Sequence, residues 1–211
     1  MAALSMMQKI RMLFSPPPRA FFKAVKNEKT IRPAFTLYVV ALAIGTVLMT
    51  AVQFVAGNPF AALYPGMPPT TTASILWGGV FVFILGIVGI FIAAGLVHLF
   101  APHLGGKTGV WRTFNALAYA SIPFYLVFWI GLFHIALVTL ILVVAGIWEI
   151  ILTIVGMSEL HDTSKVNAFL TLLIPCIIVA VVAMAIAAFF VIAIITASGG
   201  LPVANPAFAF S

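Results

Sequence analysis

Between Arg32 and Lys107 the chain runs for 74 residues without an Asp, Glu, Lys or Arg, and a second such gap of 36 residues separates Arg112 from Glu149. Nothing after Lys165 is charged. A water-soluble domain cannot clothe stretches of this length, because it needs charged and polar side chains on its outer surface. The solvent for this fold is therefore lipid, and each gap must hold helices that satisfy their own backbone donors and acceptors.

Five apolar segments, at about 34–56, 74–100, 113–130, 134–156 and 167–197, each approach or exceed the roughly 20 residues that cross a bilayer. Residues 113 to 156 as one helix would extend about 66 Å, over twice the hydrocarbon thickness, so a tight turn near Gly131 must divide them. Gly57-Asn58-Pro59 and Tyr64-Pro65-Gly66-Met67-Pro68-Pro69 mark an uncharged loop, the longest expected. The first apolar run is too long and too far from the start for a signal-peptide core, so it is expected to stay in the mature protein. A single cysteine, Cys176, excludes a disulfide within the chain.

The net charge of +6 has a location that gives it meaning. Residues 1–32 contain seven of the ten Lys and Arg against Glu28 alone, and the rest of the chain is balanced. A short basic segment directly ahead of an apolar span reads as an inside-orientation signal and an anionic-lipid contact rather than a nucleic-acid arm. With that segment in the cytoplasm and five crossings, the loops holding Lys107, Arg112 and Lys165 are also cytoplasmic, and the C-terminus lies outside. All ten basic residues then fall on one side, whereas four crossings would put Lys165 outside.

Within the basic segment, Met6, Met7, Ile10, Leu13 and Phe14 are spaced as one helix face with Lys9 and Arg11 between them. After Ser15-Pro16-Pro17-Pro18, residues Phe21, Phe22 and Val25 alternate with Arg19, Lys23 and Lys26. Both patterns predict short amphipathic helices on the membrane surface, the competing reading being a disordered basic tail. The expected organisation is a basic amphipathic segment at 1–33, a five-span domain at 34–197 and an external tail at 198–211. Trp77, Trp111 and Trp129 lie near span ends, where indoles settle at the interface, while Trp148 lies well inside the fourth span. Pro123 and Pro175 interrupt the third and fifth spans. Ala116 with Ala120, and Ala183 with Ala187, have the spacing of small residues at close helix contacts.

Three stretches together resemble the Yip1 family of five-span membrane proteins. The first is Ser15-Pro16-Pro17-Pro18 through Phe21-Phe22 to Arg32-Pro33-Ala34; the second is Gly105-Gly106-Lys107 leading to Ala118-Tyr119-Ala120-Ser121-Ile122-Pro123. The third runs from Ile147-Trp148-Glu149 through Gly156-Met157-Ser158-Glu159-Leu160-His161 and Ser164-Lys165 to Ala168 and Pro175. The resemblance covers about residues 15–197 and implies five crossings with a cytoplasmic N-terminus. Eukaryotic relatives carry a larger hydrophilic N-terminal region associated with Rab GTPases. Only about 33 residues precede the first span here, without that region's acidic, tyrosine-containing motif, so the chain resembles the short prokaryotic branch and Rab binding is not carried over.

No P-loop, dinucleotide fingerprint, serine elbow or paired-His zinc-protease motif occurs, which argues against an enzyme and implies no cofactor. Glu149 is the one formal charge deep within a predicted span, where an ionisable group costs a few kcal/mol unless paired, solvated or protonated. Gly146, Thr153 and Gly156 share its helix face and form a small, polar stripe expected to face protein. Asn115, Tyr119 and His98 are the expected donors at that depth. Such a group is either a hydrogen-bonded lock between helices or a solute, ion or proton site. In the fourth loop Glu159, His161 and Asp162, with His98 and His103, are ligand types for a divalent metal, but a charged loop with Asp162 or Thr163 capping the fifth helix explains them equally well. His134 reads as an interfacial residue.

The expectation is an all-α bundle of five transmembrane helices in the cell membrane of a prokaryote, acting as an organiser or adapter toward lipid and an unidentified protein, and possible as a homo-oligomer. The alternative is a small transporter or channel built around Glu149.

Overall fold

A computed structural model describes residues 4–57, 70–107 and 109–197, and among them every regular element is helical. Two short helices, α1 (Met6–Leu13) and α2 (Pro18–Val25), precede five long ones. These are α3 (Arg32–Ala56), α4 (Thr72–Phe100), α5 (Val110–Gly131), α6 (Ile135–His161) and α7 (Lys165–Ala197), and all five are long and apolar enough to cross a membrane. The long loop expected after Gly57 and the tail expected at 198–211 lie outside the described residues.

Helix ends follow local chemistry. Ser5 and Gln8 form a reciprocal capping box that starts α1, and Thr71 with Ser74 does the same for α4. Pro18 occupies the first position of α2, where its fixed φ suits the helix and its missing N–H costs nothing. The turn expected near Gly131 is there: α5 ends at Gly131 and His134 caps α6 through Nδ1, 3.2 Å from the Ala136 nitrogen. His134 is thus a helix cap. The cap expected from Asp162 or Thr163 for the last helix comes instead from Ser164, whose Oγ accepts from the Asn167 N–H at 3.1 Å. Asp162 terminates α6 in the left-handed conformation, with φ of 53°, a geometry its short polar side chain tolerates.

The described residues up to Leu172 form one compact unit, and those from Leu173 onward, the greater part of α7, form a second. Within the first unit α5 is central, packing on α3, α4 and α6. Its apolar window is 61% buried, against 28% or less for α3, α4 and α6, so it is the helix that the others shield from lipid. Ala116 and Ala120 are fully buried on it, as their spacing predicts. Outward-facing Val47, Phe81, Leu85, Ile92 and Ile147 present an apolar exterior suited to lipid chains.

The short helices do not lie free. Leu13, Phe21, Phe22 and Val25 are all buried in the same core as the long helices, with α1 against α5 and α2 against α6. Of the apolar stripe expected to enter the membrane, Met6, Met7 and Phe14 remain exposed. Burying the aromatic pair against protein satisfies the same apolar surface that the sequence pattern assigns to lipid.

Candidate functional site

Glu149 and the three donors expected for it divide into three groups rather than one. Glu149 stands apart from the three donors expected for it. Its Oε1 lies 2.5 Å from Ser121 Oγ on α5, and Ser121 Oγ is also 3.1 Å from the Leu117 carbonyl. Ser121 has one hydroxyl proton, which the Glu149 carboxyl oxygen and the more distant Leu117 carbonyl share as acceptors. Nearby, Tyr38 donates to the Gly86 carbonyl at 2.8 Å, which makes Tyr125, 3.2 Å away, the donor to Tyr38. Tyr38, Tyr125 and Ser121 border a cavity of about 200 Å³. Because α6 continues to His161, beyond the expected end at 156, Glu149 lies about 18 Å from the helix end at 1.5 Å per residue.

Asn115 and Tyr119, expected to serve Glu149, instead bind the N-terminal segment. Asn115 Nδ2 donates to the Thr30 carbonyl at 3.0 Å, and its Oδ1 has no partner among the described residues. Tyr119 donates to Glu28 at 2.6 Å and accepts from Lys9 at 2.9 Å, while Lys9 pairs with Glu28 at 2.5 Å. Lys9 is buried, so its charge is tolerable only because the carboxylate and phenol surround it. The Phe21 ring meets Tyr119 edge-on at 5.0 Å, completing the contact. Helical spacing put Asn115 and Tyr119 on one face correctly, but nothing in it revealed that a segment 90 residues earlier would cover that face.

His98, the third expected donor, joins a different chain. His161 Nδ1 donates to the Lys107 carbonyl at 2.8 Å, leaving Nε2 to accept from Thr113 Oγ1 at 3.0 Å. Thr113 Oγ1 in turn accepts from His98 Nδ1 at 3.0 Å. The tautomers follow from this bonding order, and the chain ties α4, α5 and α6 at the end where the basic loops meet.

The loop cluster is likewise dispersed. Glu159 pairs with Arg19 of α2, His161 turns inward, and Asp162 binds Lys26 and Lys107 through separate oxygens. His103 bonds the Leu99 carbonyl. Among the described residues no three His, Cys, Asp or Glu side chains group as metal ligands. Lys107 and then Lys26 hold the Asp162 carboxyl down from its ordinary 3.8 to about 2. The sign is that of a depressed acid: its contribution to holding α2 is complete above about pH 4 and fades as pH falls toward 2. Asp162→Asn keeps the left-handed backbone and should speed tryptic cleavage at Lys26 severalfold at neutral pH, about 1 kcal/mol or less for an exposed pair. The same variant should remove the acid sensitivity of that docking, measured by hydrogen exchange of residues 18–26 in wild type and variant across pH 2–5.

Two further residues complete the assembly. Trp148 Nε1 donates to the Leu13 carbonyl at 3.2 Å, which explains an indole far from any span end. Gly156 leaves room for Phe22, whose ring a Cβ there would approach to 2.7 Å. The stripe through Thr153 and Gly156 therefore faces protein, as expected, and the protein it faces includes α2; a Cβ at Gly146 would meet nothing within 4 Å, so the expected protein contact is not made there.

A family model described as Yip1 domain matches residues 10–187. No curated protein and no solved structure matches the chain.

Proposed function

The chain belongs to the Yip1 family, and from that premise we propose that it is a non-enzymatic, multi-pass protein of a prokaryotic cell membrane that organises or adapts through its cytoplasmic face. The observation that carries this reading is the fixed basic collar. Helices α1 and α2 dock on α5 and α6 through Phe21, Phe22, the Lys9–Glu28–Tyr119 group and the Arg19–Glu159 and Lys26–Asp162 pairs. A docked collar presents Arg11, Arg19 and Lys23 beside exposed Met6, Met7 and Phe14 in one geometry, which suits recognition of an anionic membrane surface and of a partner protein. Charge reversal at Arg11 and Lys23, which face outward, should lower the preference of the full chain for anionic over neutral vesicles in a low-salt flotation assay while leaving its thermal stability unchanged. Undiminished preference would remove the collar from the reading.

The topology has its own test. In a Cys176→Ala background, needed because Cys176 is exposed, cysteine at position 211 should react with an impermeant maleimide added to intact cells. Protection of that site, with a reactive outer-loop control, would reject an external C-terminus and with it the five-crossing assignment.

A second reading, a solute, ion or proton path, is favoured by one feature, the Tyr38–Tyr125–Ser121–Glu149 group beside its cavity. Glu149→Gln separates the two. Glutamine still offers Ser121 an acceptor oxygen, so a structural lock survives it, while Glu149→Ala removes the hydrogen bond that joins α5 to α6 and costs about 1 kcal/mol, Ser121 keeping its bond to Leu117. In a proton or ion path glutamine abolishes activity in a folded protein. Unchanged stability and unchanged cellular phenotype in Glu149→Ala would eliminate both roles.

A further inference from the structure

The collar, the loop before α5 and the first turn of α5 enclose a polar cleft of about 400 Å³, within the range of small-ligand sites, lined by Lys26, Lys29, Lys107, Trp111, Arg112 and Asp162. Four cations face one carboxylate. Both Asp162 oxygens are already taken by Lys26 and Lys107, so the surplus charge resides on Lys29 and Arg112. Lys29 is exposed and has no hydrogen bond or ion pair among the described residues. Arg112 gives Nη1 to the Leu160 carbonyl at 2.6 Å and lays its guanidinium on the Trp111 ring at 4.5 Å, yet its Nε is buried with no acceptor. A buried cationic donor left unpaired is costly, and an incoming anion relieves it. The same end of α5 starts at Val110 without a side-chain cap, so its positive dipole end faces the cleft region uncompensated.

We propose that this cleft binds the phosphate headgroup of an anionic lipid, with Arg112 and Lys29 as the phosphate-binding side chains. The lipid source is favoured over soluble phosphate by the position of the cleft at the end of an apolar span, with Trp111 in its wall and Val110, 53% exposed, at its edge. The site deepens the membrane-surface reading above by giving it a defined pocket on the collar.

The test uses the full chain purified in neutral detergent, with phosphatidylglycerol retention measured by native mass spectrometry against phosphatidylcholine. Wild type should retain phosphatidylglycerol preferentially, and Lys29→Gln combined with Arg112→Gln should lower its affinity about tenfold or more, as expected for losing charge-assisted bonds. Lys165→Gln, an exposed cation outside both the cleft and the collar, should leave it unchanged. Because Arg112 also holds Leu160, Lys29→Gln alone and Arg112→Lys serve as variants that spare the fold, and each should weaken retention. Equal weakening by Lys165→Gln and the cleft variants would leave a diffuse charge reading standing and overturn the pocket. No preference for phosphatidylglycerol in wild type would overturn both. Displacement of the lipid by millimolar inorganic phosphate, which itself stays bound, would overturn the lipid as the source.

Discussion

Replacing Phe22 with alanine should release the N-terminal segment from the bundle. The Phe22 ring is completely buried, meets Phe21 edge-on at 5.1 Å and sits over Gly156, where no side chain is available to fill the space it leaves. Truncations of this kind cost about 3–5 kcal/mol. The Lys26–Asp162 pair at the surface contributes about 0.2–1 kcal/mol, and in the Arg19–Glu159 pair, with Arg19 exposed and Glu159 buried, desolvation offsets much of the attraction, so the two do not hold α2 once the ring is gone. Tryptic cleavage at Arg19, Lys23 and Lys26 should accelerate about a hundredfold or more if opening governs the rate, while the long helices stay protected by detergent or lipid. Gly156→Leu should reproduce the effect from the opposite side of the contact, because its side chain would occupy the ring's place. Salt alone should release the wild-type segment far less than either substitution. Cleavage at the wild-type rate in both variants would sink the docked geometry.

This contact also explains what was and was not legible in the sequence. The five long helices were, because a helix that crosses lipid must carry its apolar character in consecutive residues, and the charge gaps mark it directly. The short helices were legible as amphipathic, yet their partner was not. An apolar face of Phe21, Phe22 and Val25 between basic residues has the same pattern whether it meets lipid chains or a groove in the protein. The distinguishing signal was present but distant: Gly156 and Trp148 stand in the third family-like stretch with no role in a lipid-facing span, and both make room for, or bond to, the N-terminal segment.

The polar residues show the same limit. Depth along a helix was readable at 1.5 Å per residue, so Asn115, Tyr119 and Glu149 were grouped by depth and face. Rotation of α5 against α6 decides which of them meet, and it brings Ser121 to Glu149 while Asn115 and Tyr119 turn to Thr30, Glu28 and Lys9. Ser121 lies six residues from Asn115, more than one and a half turns along α5, and a serine in an apolar helix ordinarily bonds its own backbone, as this one also does to Leu117. The loop acids carried no sign that their partners would be Arg19 and Lys26, since charge pairing across 140 and 136 residues is set by the fold alone.

Gly45→Val should be the most damaging single change within the spans. A Cβ at Gly45 on α3 would lie 2.3 Å from the carbonyl oxygen of Tyr125 and 3.1 Å from its carbon, so the obstacle is the backbone of α5, which cannot swing aside as a side chain can. The helices must separate, and valine's second branch enlarges the shift. Forced overpacking of this kind costs about 1–3 kcal/mol and occasionally more. The upper end is expected, because α5 is the central helix and gives up contacts on several sides at once. Tyr38 is two turns before Gly45 on the same face of α3, so separation also pulls its hydroxyl from Tyr125 and opens the polar group that adjoins Glu149. Gly95→Val supplies the control: a Cβ there meets nothing within 4 Å, and valine facing lipid adds only apolar surface to an apolar solvent. Thermal unfolding in one detergent should show a large drop for Gly45→Val and little change for Gly95→Val. Equal losses would mean that valine harms these helices by propensity alone, and that α3 and α5 do not approach as closely as 2.3 Å requires.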